Sequence, residues 1–240
     1  MLNIFGDYIE ESYIDHELNE SIDMTEGLGG LLHPIFVVLI YSGSAFARTA
    51  EKIVKDQDYW HASIGFGPAL SRLYSFNYGH YEANRFKGGL SFESVKEYKE
   101  AHSDGKMEVS CILLSTVKYN KLKAVLDYYM NNKEKTKYSF LNLAYSLFGK
   151  HTENGPKFSL VCSTFVDTIL KSVNINVSGQ QYSNLVKPDD LKASDEKGKY
   201  FKVFEGKIKD YDATKVAKIV ENMYNDKSLS YFNKKKNPSR

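Results

Sequence analysis

Apolar residues along this chain recur with two periods, and the switches between them outline strands and helices. An unbroken apolar run at 35–41 (IFVVLIY) predicts a strand buried on both faces. Residues 59–66 alternate instead. Trp60, Ala62, Ile64 and Phe66 take one face, and Tyr59, His61, Ser63 and Gly65 take the other. Gly67-Pro68 turns the chain into a second alternating stretch, RLYSFNY at 72–78, where Ser75 and Asn77 share a face opposite Tyr74 and Phe76. MEVSCILLSTV at 107–117 and KYFKVFEG at 199–206 read as further strands. Helical spacing predicts helices at 44–55 (with Ser44 as cap), 119–132, 138–148, 160–173 and 211–224. The stretch 79–105, rich in Gly and charge, reads as a loop, as does 150–158. With no internal repeat and no low-complexity linker, the pattern predicts one α+β domain at 34–225, an arm at 1–33 and a tail at 226–240.

Composition narrows the function classes. The chain has 240 residues and two cysteines, Cys111 and Cys162, which suggests neither a disulfide framework nor a metal-ligand spacing. No cofactor is expected. The longest apolar run, PIFVVLIY at 34–41, is too short to span a bilayer, and the acidic N-terminus is unlike a signal peptide. The expectation is a protein without a transmembrane segment, cytoplasmic where it is made. Formal net charge is +2, yet residues 1–47 hold eight acids and no Lys or Arg, leaving +10 on the remainder. An acidic arm on a basic body can fold back on it, dock on a protein partner, or simply be solvated. The basic tail NKKKNPSR carries no recognition motif, so no specific nucleic-acid partner is expected.

The two cysteines sit in different settings. Cys111 alternates with Val109 and Leu113 inside a strand, which is the pattern of core packing. Cys162 opens the apolar stripe of a helix together with Phe165, Val166, Ile169, Leu170 and Val173. Ser163, Asp167 and Lys171 fall on the other face, with Asp167 and Lys171 as an i, i+4 pair. Ser159 is the expected cap, placing Cys162 in the first turn. There the free N–H groups and the helix dipole favour a thiolate and can hold an oxyanion. A lone strand histidine is ordinarily a half-exposed surface residue, and a cysteine on a helix stripe is ordinarily packing. Taken together, His61 and Cys162 supply a base and a nucleophile, and Ser63, Ser75 and Asn77 would surround the imidazole if the two strands pair antiparallel.

The segments HASIGF, LYSF, VCSTFVDTIL about 90 residues later, and PDDL at 188–191 resemble the circularly permuted NlpC-like branch of the papain-type cysteine hydrolases. They are similar in particular to uncharacterised members from Gram-positive bacteria and their phages. The resemblance covers roughly 34–206. It implies a permuted papain-like fold: an antiparallel sheet packed against a helix with the nucleophilic Cys at its N-terminus. It further implies Cys162 as nucleophile, His61 as general base, and an amide or peptide substrate, of which cell-wall peptides are one class. The polar residue that orients the imidazole is then Asn77, with Ser75 as substitute, or a group from outside that strand, because 72–78 offers no carboxylate. Two rivals stay open. One is a lipid or thioester acyl hydrolase or acyltransferase on the same dyad; the lack of a second His in the strand counts against the acyltransferase. The other is a non-catalytic binding or virion-associated protein that retains the fold.

Overall fold

A computed structural model describes residues 32–43, 57–78, 88–138, 159–193 and 200–223. The expected helices at 44–55 and 138–148, the acidic arm to residue 31 and the basic tail lie outside the described residues, apart from Tyr138. Among the described residues, eight strands run in chain order: β1 (Leu32–Tyr41), β2 (His61–Phe66), β3 (Leu73–Tyr78), β4 (Gly88–Glu93), β5 (Lys106–Ser115), β6 (Lys137–Tyr138), β7 (Ser159–Leu160) and β8 (Tyr200–Lys207). Six form an antiparallel sheet in the order β4-β3-β2-β1-β5-β8, and β6 and β7 pair in parallel. Four helices accompany them among the described residues: α1 (Val95–His102), α2 (Thr116–Asn131), α3 (Cys162–Lys171) and α4 (213–223). No helix among the described residues is long and apolar enough to cross a membrane.

The unbroken apolar run of β1 follows from its place inside the sheet. Ile35, Val37 and Leu39 feed one core; Phe36, Val38 and Ile40 feed the other. Pro34 is tolerated because the ladder to β2 begins only at Ile35, so at Pro34 the strand pairs on one side alone, with β5. The first core packs Ile35, Ile64 and Phe76 against Leu122, Val125 and Leu126 of α2 and Phe165, Val166 and Ile169 of α3. The second gathers Cys111, Val109 and Leu73 with Val95 of α1 and Val216 and Val220 of α4. Cys111 is fully buried there. Each face of the sheet therefore has its own helical layer.

The expected loop at 79–105 is the main correction. It contains β4 and α1. The glycines that read as loop punctuation answer a close approach instead, since a Cβ on Gly89 would lie 2.6 Å from Oγ1 and 2.9 Å from the backbone oxygen of Thr136. Thr136 in turn accepts the N–H of Leu90 at 3.0 Å. Helix α1 begins at a reciprocal cap: Ser94 accepts from the N–H of Glu97 at 3.2 Å and its hydroxyl donates to the Glu97 carboxylate at 2.9 Å.

Candidate functional site

His61 and Cys162 are the first residues of their elements, β2 and α3. Ser159 is not the capping residue that was expected. Ser159 belongs to β7, and the capping position is Val161, whose side chain has no polar atom to offer. Helix α3 therefore starts at Cys162 itself, and its capping residue makes no side-chain hydrogen bond to the first turn. Cys162 is 5 % exposed and lies within hydrogen-bond reach of His61. Tyr138, paired with Leu160 across β6 and β7, lies near Cys162.

The partner that holds His61 is Glu93, at the end of β4. Nε2 of His61 donates to the two carboxylate oxygens at 2.8 and 3.0 Å, leaving Nδ1 as the nitrogen available to Cys162. The imidazole is 18 % exposed and the carboxylate 5 %. Burial, the largest single effect on His61, pulls it down. The charge of Glu93 and the hydrogen bonds to Cys162 and Glu93 outweigh burial and carry it from 6.5 up to about 10. Burial likewise pushes Glu93 up, but His61, Tyr98 and Asn77 together hold it below its ordinary value. The two partners agree in sense: the pair is ionised at neutral pH.

The polar side chains expected around the imidazole divide. Asn77 does not take the place of orienter; its Nδ2 donates to Glu93 Oε1 at 2.6 Å and to the Ser91 hydroxyl at 2.9 Å. Ser75 is fully buried and donates to the Ala62 carbonyl at 2.7 Å, bracing β3 on β2. Ser63 is fully buried, and its hydroxyl finds no partner among the described residues. Tyr98 of α1 donates its hydroxyl to the second oxygen of Glu93. The carboxylate thus comes from outside the 72–78 strand. A signal for it existed, because GGLSFE at 88–93 alternates Leu90 and Phe92 with Ser91 and Glu93 and so continues the polar face of β3.

Two further contacts position the site. The PDDL segment reaches back to the start of β2, where Asp189 accepts the N–H groups of Asp58 and Tyr59, each at 2.8 Å. Lys192 bridges Asp58 and Asp189. On α3 the face opposite the apolar stripe is covered as well. Asp167 is fully buried, pairs with Lys171 at 2.7 Å, and accepts the hydroxyls of Ser178 and Ser183 at 2.7 and 2.6 Å. Ser163 is buried too and donates to the Val186 carbonyl at 2.6 Å. Among the described residues, no group of His, Cys, Asp and Glu side chains is arranged to hold a metal ion.

Comparison with known proteins gives no match: no family model, no curated protein and no solved structure matches the chain.

Proposed function

We propose that this protein is a cysteine hydrolase of the permuted papain-like kind, cleaving an amide or peptide bond with Cys162, His61 and Glu93. The observation that carries the reading is the order of the three groups. A thiol at the uncapped start of a helix lies beside an imidazole whose far nitrogen is held by a buried carboxylate. The carboxylate that 72–78 does not offer is supplied, in this reading, by Glu93.

His61 carries at neutral pH the proton that a departing amine needs, and the attacking form of a cysteine is its thiolate. The thiolate sulfur attacks the carbonyl carbon, and the oxyanion that forms is stabilised by the uncapped N–H groups at the start of α3. As the C–N bond breaks, Nδ1 of His61 gives its proton to the departing amine, leaving a thioester on Cys162. The neutral imidazole then takes a proton from water. The resulting hydroxide attacks the thioester, the acid leaves, and the thiolate and imidazolium are restored. Glu93 stays ionised throughout and keeps the ring in one orientation.

Acylation can be tested with p-nitrophenyl acetate, which needs no knowledge of the natural substrate. The expected result is a burst of nitrophenolate equal to the protein concentration, lost in Cys162→Ala and retained in Cys111→Ala. A burst that survives Cys162→Ala refutes the assignment.

A further inference from the structure

Glu93 is contacted from three elements at once. His61 on β2 spans both oxygens, Asn77 on β3 donates to Oε1, and Tyr98 on α1 donates to Oε2. Asn77 is itself oriented by Ser91 of β4, and the Tyr98 ring lies 6.4 Å from the His61 ring, centroid to centroid. A buried carboxylate with one cation would otherwise face two alternatives. It could take a proton, or it could rotate away from the ring and leave the imidazole free to turn. Two neutral donors, one on each oxygen, oppose both. We propose that Tyr98 and Asn77 are positioning residues of this site, acting through Glu93 to hold the carboxylate ionised and aimed at the His61 ring.

The inference rests on the hydrolase reading for its purpose, but not for its measurement. Among the described residues, the titratable groups facing Glu93 are His61 and Tyr98, with Cys162 beyond the imidazole. Tyr98→Phe removes one oxygen and no ring carbon, so the fit of α1 is kept. Its effect has a definite sign. The donor stabilises the carboxylate and not the acid, so its loss moves the protonation of Glu93 to higher pH. A hydrogen bond to a charged group is strong enough for that shift to reach about one pH unit, a tenfold change in the ionised fraction on the acid limb.

The experiment follows the ring nitrogens of His61 by NMR in the full-length, histidine-labelled protein, with the signal assigned by its loss in His61→Gln. In the unsubstituted protein the ring senses Glu93 as a step in the acid range. In Tyr98→Phe and in Asn77→Ser the step should move up by about one pH unit each. In Glu93→Gln the step should vanish, and adding Tyr98→Phe should change the alkylation rate of Cys162 by less than about twofold. A step unmoved by both substitutions overturns the proposal. So does a rate loss from Tyr98→Phe that is the same with and without Glu93→Gln. If Tyr98→Phe fails to fold, Asn77→Ser carries the same test. A moved step with no nitrophenolate burst supports the positioning role while overturning the hydrolase reading; an unmoved step with a full burst does the reverse.

Discussion

Replacing Glu93 by Gln removes one charge and almost no volume from a place that is 5 % exposed. The Gln carbonyl can still accept from His61, yet its amide cannot serve as a second acceptor for Tyr98, and the imidazolium loses its counter-charge. Breaking a buried pair from one side costs about 3–5 kcal/mol, and the retained acceptor places this case at the lower end, about 3 kcal/mol. The pH dependence is the sharper part. His61 is raised in the folded protein from 6.5 to about 10, so its contribution is complete below 6.5 and is lost as pH rises toward 10. Glu93 is lowered, so its contribution is present above its ordinary value near 4.5 and is lost as pH falls through the folded value. Both contributions are complete between 4.5 and 6.5. Urea unfolding at about pH 6 should therefore show the full cost of Glu93→Gln. Above 6.5 the gap between the two proteins should narrow, because the unsubstituted protein loses the part of the His61 contribution that Glu93 supports. Equal costs at about pH 6 and about pH 9, or a cost below about 0.5 kcal/mol at the lower pH, would refute the ion pair as described.

Other perturbations separate catalysis from packing. Iodoacetamide followed by peptide mapping should modify Cys162 far faster than the fully buried Cys111, and His61→Ala should slow the Cys162 reaction at neutral pH; equal rates for the two thiols would count against the nucleophile. Gly89→Ala should cost about 1–3 kcal/mol in chemical unfolding, because the new methyl meets the backbone of Thr136; a neutral result would mean that the 133–136 segment yields. Asp167→Asn should destabilise by about 2–4 kcal/mol and increase hydrogen exchange at 178–186, since Lys171 is left beside an uncharged partner; an unchanged exchange pattern would sink that reading. Glu108 is raised mainly by burial, so its charge opposes folding at neutral pH and not once it is protonated. Glu108→Gln should accordingly raise Tm at about pH 7 and leave it unchanged near pH 4.

What the linear chain determined by itself was everything set by local period and residue type. The apolar run of β1, the alternation of β2 and β3, the helical stripe beginning at Cys162 and the packing role of Cys111 are each written in a few neighbouring residues. A strand or helix face needs only a period to be recognised. The tertiary structure decided which groups meet. Glu93 lies 32 residues from His61 and joins it only because β4 pairs on the outer edge of β3 in the register Leu73↔Glu93, which the alternation within 88–93 does not specify. Gly88-Gly89 looked like a break because glycine marks both turns and close approaches, and only the position of Thr136 tells them apart. For Asp167 the i, i+4 partner is visible in sequence, whereas the covering segment at 178–183 is not. Ionisation went the same way. The sequence offers His61 as a group of ordinary basicity, and its protonation at neutral pH arises from burial opposed by a carboxylate and a thiol brought from two other elements. Charge interactions fall off with distance in space, not along the chain, so a site built from three elements acquires its chemistry only once they are assembled.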